Sequence, residues 1–183
     1  MNEVEAVKSK VMIEKIENRL TSFGQVYADV WRFGINSGLR IGDLLTLRFD
    51  DVSGDSLEVT EQKTRKRRSI PINPTMKRII QRRQQDNPHH TYLFQTDANR
   101  SKGAGKPIAR GSVSRIFKQV GEGASIGIKL GTHSMRKTLG YQMYQNGCSL
   151  ELICKVLNHS SPTVTMRYIG IEKEDVASAY IEL

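Results

Sequence analysis

Cysteine is nearly absent: the 183 residues contain two, Cys148 and Cys154. Six apart in a stretch of helical periodicity, they suit neither a zinc knuckle nor a disulfide, which leaves packing residues in a reducing compartment. Long apolar runs are missing too. No stretch approaches the roughly 18 residues that a membrane-spanning helix needs, and the polar start does not read as a signal peptide. There is no internal repeat, low-complexity tract or obvious interdomain linker. These absences leave a soluble protein, expected in the cytoplasm and not at a membrane. Its length suits one domain able to bury a core.

Acid is the scarcer charge, with 19 Asp+Glu against 28 Lys+Arg and a net charge of +9. Such an excess favours a polyanionic partner, most simply nucleic acid, and says nothing about fold. The excess is local. Between Glu61 and Arg83 there are nine basic residues and one acid, whereas residues 1–20 carry four of each sign. After Gly170 the tail turns acidic. Arg65, Lys66, Arg67, Arg68, Arg78, Arg82 and Arg83 are therefore expected to form a docking face for a phosphate backbone, with binding that weakens steeply in salt.

Apolar spacing predicts a mostly helical α+β domain with one small antiparallel sheet. A lead-in helix is expected within residues 1–20, from Val4 to Leu20. A second, capped by Ser22, carries Phe23, Val26, Tyr27, Val30, Trp31 and Phe33 and stops at Gly38. A short buried helix follows Arg40. Leu57–Thr60 and Ser69–Ile72 alternate apolar with polar and flank a basic turn, which predicts a hairpin, with Pro71 at an edge or end. Pro74 opens a basic helix. Tyr92–Phe94 is expected as a short strand and Asn99–Pro107 as a mobile loop. Helices are expected over Ser112–Val120 and from His133 to Asn146-Gly147. Two more start at Ser149 and at Ser161-Pro162, where a hydroxyl cap precedes the first turn.

The chemistry-bearing residues crowd into Thr132–Tyr168. His133 and Arg136, three apart, share a helix face. His159 closes an apolar helical run, and Tyr168 follows nine residues later. Imidazole, guanidinium and phenol together point to chemistry on phosphate. On chemistry alone Tyr141, Tyr144 and Tyr180 compete with Tyr168.

Five boxes in order carry a resemblance. Gly38-Leu39-Arg40-Ile41-Gly42-Asp43-Leu44-Leu45 resembles the first arginine box of the tyrosine site-specific recombinases, the phage integrase family. Gln62-Lys63-Thr64, opening a basic hairpin, is similar to the site of that family's lysine. His133-Ser134-Met135-Arg136 resembles its His-x-x-Arg box. Leu157-Asn158-His159 and Thr165-Met166-Arg167-Tyr168 resemble its closing histidine and tyrosine segments. The set spans residues 38–170. Met135, Lys137 and Asn158 depart from the commoner Leu, His and Gly without removing a catalytic group, and Asn accepts left-handed backbone better than most residues.

The resemblance implies the tyrosine-recombinase catalytic-domain fold and a metal- and cofactor-independent enzyme. Tyr168 would attack the scissile phosphate to leave a 3′-phosphotyrosine and a free 5′-hydroxyl. A phenol of pKa about 10 is about three units from ionising at neutral pH, or roughly 4 kcal/mol. Arg40 and Arg136 would hold the non-bridging oxygens, and Lys63 would protonate the leaving oxygen, although Arg65, Lys66 and Arg67 crowd the same hairpin. His133 would assist proton transfer and His159 would donate to a phosphate oxygen. Asp43 could orient Arg40. Expected partners are double-stranded DNA, further copies in a tetrameric synapse, and accessory DNA-bending or directionality proteins. The setting would be bacterial or phage-encoded, associated with the nucleoid when DNA-bound.

Two other activities compete: a type IB topoisomerase, and a non-catalytic DNA-binding regulator on the same fold. Residues 1–183 are expected as a single catalytic domain without the family's N-terminal core-DNA-binding domain, either as a fragment of a longer recombinase, the favoured reading, or as a member of a short single-domain group such as the fimbrial-switch recombinases. The tail, 171–183, would pack on its own domain or on a neighbour. Without DNA, the tyrosine and the lysine hairpin are the parts expected to be displaced.

Overall fold

A computed structural model describes residues 4–97 and 105–171. The expected loop over Asn99–Pro107 lies largely outside these residues, as does the tail beyond Ile171.

Helix α1 spans Lys10–Thr21 and buries Ile13, Ile16 and Leu20. It starts later than its apolar spacing predicts, because the Ser9 hydroxyl accepts from Met12 N and caps it there. Residues ahead of it run extended instead: Glu5 N donates to Lys129 O at 3.0 Å, and Val7 N to Thr138 Oγ1 at 2.9 Å. Helix α2, Gln25–Ser37, is capped by Gly24, whereas Ser22 closes α1. Its apolar face forms the centre of the core. Trp31 meets Phe117 edge-on at 5.8 Å, and Phe33 meets Phe94 at 5.4 Å. Gly38 stops α2 in the left-handed conformation, φ 64°.

Helix α3, Ile41–Leu45, and a 3-10 turn at Phe49–Asp51 lead into the sheet. Strands β1 (Val52–Ser53), β2 (Ser56–Thr60) and β3 (Arg67–Pro71) are antiparallel in the order β1-β2-β3, so the expected hairpin gains a short third strand. Leu57 pairs with Ile70 in the buried rows, and Pro71 ends the edge strand. Helix α4, Pro74–Asp86, starts on an Asn73 cap with Pro74 at its first position. Tyr92–Phe94 is not a strand. One isolated bridge joins Tyr92 to Arg48, and the buried Leu93 and Phe94 fill the core instead.

Arg83 explains why that segment holds its place. It is 6 % exposed, pairs with the buried Asp29 of α2 at 3.0 Å, and donates to the carbonyls of Leu93 and Gln95. Arg82 also pairs with Asp29. The expectation that Arg83 contacts DNA is therefore corrected: its fork satisfies buried acceptors that would otherwise be orphaned.

Helix α5 spans Arg110–Glu122, α6 Thr132–Gln145, α7 Leu150–Leu157 and α8 Pro162–Ile169. The Ser149 and Ser161 hydroxyls cap α7 and α8 as expected, accepting from Leu152 N and Val164 N. Helix α6 joins two apolar clusters. Met135 belongs to the main core, and Tyr141 to a smaller one with Ile153, Leu157 and Ile169. Gly140 permits this close approach, since a Cβ there would lie 2.6 Å from Ile169 Cγ2 and 2.9 Å from Leu157 Cδ1. Gly140→Ala is expected to lose about 1–2 kcal/mol despite its better helix propensity. It should also push α8 outward. Thermal melting checks the first effect and the chemical shifts of α8 the second.

Candidate active site

Four separated segments meet at a cleft of about 270 Å³ whose walls include Arg40, Lys63, Arg110, His133 and Arg136. Arg40 is the N-cap of α3, two residues after the Gly38 stop, so a sharp change of chain direction presents its side chain. Lys63 sits exposed on the turn between β2 and β3. His133 and Arg136 lie on the first turns of α6. Arg110, the first residue of α5, is exposed at the cleft, and no sequence box marks it. Cationic side chains converging on one small cleft make an anion site of phosphate size.

Arg136 is 2 % exposed and donates to the carbonyls of Gly38 and Leu157, at the ends of α2 and α7. One guanidinium thus ties the Arg40 segment to the turn before His159. That turn depends on Asn158, which adopts φ 49° at the C-cap of α7. Asparagine's tolerance of left-handed backbone lets it stand there.

The acid that holds Arg40 is not Asp43. Asp43 Oδ1 accepts from Gln62 N at 2.9 Å. Arg40 instead pairs with Glu61 at 2.7 Å, and Glu61 is fully buried. Burial alone would raise the Glu61 pKa, but hydrogen bonds from Thr64, Arg68, Asn158 and Arg40 outweigh it and bring the pKa to about 2. The one signal for Glu61 in the sequence is that it is the sole acid of the basic run 61–83.

Tyr168 enters from the far side on α8. Its hydroxyl lies 3.3 Å from His133 Nδ1, within reach of a proton transfer. Its ring stands edge-on to His159 at 4.6 Å and carries Lys137 Nζ at 5.3 Å from the centroid. The expected displacement of the tyrosine is thus not seen: the phenol is docked, and Lys63 also faces the cleft. Burial pushes the Tyr168 pKa up, while Arg136 and Arg40 pull it down less strongly, so the phenol is protonated at neutral pH. Tyr141 and Tyr144 pack in the smaller apolar cluster, and Tyr180 lies outside the described residues.

Both site histidines are neutral at pH 7. Burial, then Arg136 and the neighbouring cations, lower His133. Burial, then Arg136 and Arg40, lower His159 to about 4. Thr165 donates to Ser161 O, so its oxygen accepts from His159 Nδ1 at 3.1 Å. Nε2 is then the nitrogen left for a ligand oxygen, and it donates only when the ring is charged. A bound anion, by offsetting the two arginines, is expected to raise this pKa. A His159 titration followed by NMR should inflect near pH 4 in the free protein and move upward with bound DNA. An inflection near 6.5 in the free protein would contradict the arrangement. Because the folded pKa lies below the unfolded one, the associated stability is present above about pH 6.5. It is lost as pH falls through 4.

The basic face divides into exposed and inward-turned cations. Arg65 (φ 58°), Lys66 and Arg67 remain exposed on the hairpin, with Arg67 weakly paired to Glu58 at 3.6 Å. Arg68 turns inward to Glu61 at 2.8 Å and to Val156 O at 2.8 Å, which corrects its expected place among the DNA contacts. Arg78 bonds Thr75 on exposed α4, and Arg82 is held by Asp29. The two other histidines, His89 and His90, share the Asp97 carboxylate away from this cleft. Among the described residues no helix is long and apolar enough to cross a membrane.

The family model described as "Phage integrase family" matches residues 8–175. "Probable integrase/recombinase YoeC" of Bacillus subtilis (strain 168) is 37% identical over 182 residues, covering 98% of this chain and 97% of the relative. "Tyrosine recombinase XerA" of Pyrococcus furiosus is 29% identical over 149 residues, covering 78% of this chain and 49% of the relative. Among solved structures, a lambda integrase dimer bound to a COC′ core site superposes with a TM-score of 0.74 at 17% identity, covering 100% of this chain and 52% of that one. The chain therefore spans nearly all of the Bacillus relative and about half of the other two.

Proposed function

Because the chain belongs to the phage integrase family, we propose that it is a site-specific recombinase that breaks and rejoins DNA through a covalent 3′-phosphotyrosine at Tyr168. The observation that carries this reading is the Tyr168 hydroxyl at 3.3 Å from Nδ1 of His133, which lines the same cleft as Arg40, Lys63 and Arg136. Residues 8–175 act as one catalytic unit on double-stranded DNA.

The steps follow from the inventory. A scissile phosphodiester enters the cleft, and Arg40 and Arg136 take its non-bridging oxygens, with Arg110 adding charge at the rim. Anchoring by fixed guanidiniums stabilises the extra negative charge of the phosphorane as it forms. The Tyr168 oxygen attacks phosphorus, and its proton passes to His133 Nδ1. The bond from phosphorus to the 5′-oxygen breaks, and Lys63 protonates that oxygen. His159, charged beside the phosphate, donates through Nε2. No water is consumed, so the phosphotyrosine keeps the ester and a 5′-hydroxyl from another duplex can reverse the step. Exchange between duplexes requires several protomers, arranged as a tetramer on DNA, with accessory DNA-bending or directionality proteins setting the outcome. Arg65, Lys66, Arg67 and Arg78 supply sequence-independent backbone contacts, which make binding weaken steeply in salt.

A pool of nicked duplexes with a randomised core tests the reading, because loss of the short strand beside the nick traps the intermediate. The wild-type chain should capture one sequence class covalently, and a denaturing gel and sequencing read it out. No captured DNA sinks the proposal. Relaxation of plasmid lacking the captured sequence would favour a topoisomerase, and binding without capture a regulator.

A further inference from the structure

Glu61, at the start of the β2–β3 turn, collects four donors, two from its own hairpin, Thr64 and Arg68, and two from distant segments, Arg40 and Asn158. Its Oε2 accepts from Arg40 Nη1, Thr64 Oγ1 and Asn158 Nδ2, each at 2.7 Å, and its Oε1 accepts from Arg68 Nη1 at 2.8 Å. Each donor adjoins a different piece of the site. Arg40 is itself one wall. Thr64 follows Lys63 on the hairpin turn, and Asn158 precedes His159. Arg68 reaches on from β3 to Val156 O at the end of α7. We propose that Glu61 is a positioning residue of the strand-cleavage reaction, a buried anion that orients Arg40 and sets the lysine turn and the His159 turn against it.

The electrostatics require an anion at this point. Arg40, Lys63, Arg68 and Arg136 would otherwise crowd four positive charges around one small volume. Like charges that close repel, and the hairpin that carries Lys63, Arg68 and Glu61 itself would lose its ties to Arg40 and to the turn before His159. A carboxylate with no exposed surface and a pKa of about 2 remains ionised through the working range of pH, so its hold on the hairpin does not titrate away. The geometry adds direction. Glu61 binds Arg40 through Nη1 alone, which leaves the rest of the fork for a phosphate oxygen and removes the rotamer freedom that a long side chain would lose on binding. Glutamine cannot substitute faithfully. All four partners present hydrogens, and an amide offers one acceptor oxygen while its NH2 group faces donors.

This inference rests on the recombinase reading above, and the experiment separates the two. Nicked duplex of the sequence captured by the wild-type chain is mixed with excess protein, and single-turnover adduct formation is followed alongside DNA affinity and melting temperature. Glu61→Gln is expected to slow adduct formation roughly 100-fold while DNA affinity changes by less than about threefold. Glu61→Asp, which keeps the charge but withdraws it by one methylene, should recover part of the rate, at roughly 10-fold below wild type. In an Arg40→Lys background Glu61→Gln should cost roughly 10-fold, less than with the native fork, since part of its effect runs through Arg40 and the rest through the lysine and His159 turns. An unchanged rate in Glu61→Gln overturns the inference. So does an equal loss in the Arg40→Lys background, which marks a merely structural carboxylate. If Glu61→Gln does not melt cooperatively, Glu61→Asp decides: a wild-type rate overturns the inference. Wild-type protein that captures no DNA sinks the recombinase reading itself.

Discussion

Tyr168→Phe is expected to form no covalent adduct with DNA while melting and binding DNA almost as the wild type does. The substitution removes one hydroxyl. It is hydrogen-bonded to His133 Nδ1 at 3.3 Å and to the buried Arg136, whose guanidinium keeps the carbonyls of Gly38 and Leu157 as partners, so the loss should cost about 1 kcal/mol. The ring stays, and with it the edge-on contact to His159 and the Lys137 ammonium over its face. The phosphate contacts of Arg40, Lys63 and Arg136 are untouched in the mechanism. Only the nucleophile is gone, and among the described residues Tyr141 and Tyr144, the competing phenols, pack in the smaller apolar cluster. The adduct should fall by at least about 1000-fold, to background on a denaturing gel. An adduct formed by the Phe variant would remove Tyr168 from its role. A large fall in DNA affinity would instead show that the phenol holds the phosphate before it reacts.

Such a variant can be named from sequence because the signals around Tyr168 are local. Ser161 followed by Pro162 starts α8, Asn158 accepts the left-handed turn after α7, and Gly38 stops α2 just ahead of Arg40. Each is a matter of one or two residues and their backbone preferences, so each is legible without tertiary context. The extended run before Ser9 is not. Val4 and Val7 continue a helical spacing, and only the distant Lys129 carbonyl and Thr138 hydroxyl draw that segment out. Tyr92–Phe94 has strand composition but finds no second strand, and Arg83 holds the carbonyls of Leu93 and Gln95 instead. Charge was the least legible property. A run of nine cations reads as one docking face, yet Arg68 and Arg83 turn inward because buried acceptors await them. Glu61 reaches the site through its pairing with Arg40 and Arg110 through its place on the cleft wall, and no spacing rule contains either.

Arg136→Lys tests whether the site needs a charge or a fork, and a large loss is expected although the charge is kept. Arg136 serves two masters. Its fork donates to the carbonyls of Gly38 and Leu157, which close α2 and α7 and have their negative dipole ends turned toward it. A lysine ammonium on a shorter reach can satisfy at most one of them in that geometry. Each buried carbonyl left without a donor costs about 1–3 kcal/mol, so a net loss of about 2–4 kcal/mol is expected. For a chain of this size that lowers the melting temperature by roughly 5–10 °C. The catalytic loss is separate. Without the planar fork a phosphorane oxygen loses a directed donor, and Arg40 and the His159 turn lose their common tie, so adduct formation should fall roughly 100- to 1000-fold at a temperature where the variant is fully folded. Two readouts keep the roles apart. A lowered melting temperature with an adduct rate near wild type would make Arg136 a strut between two helix ends, leaving the phosphate to Arg40, Lys63 and Arg110. An unchanged melting temperature would mean that neither carbonyl depends on it, and the anchoring of the Arg40 segment to the turn before His159 would then need another cause.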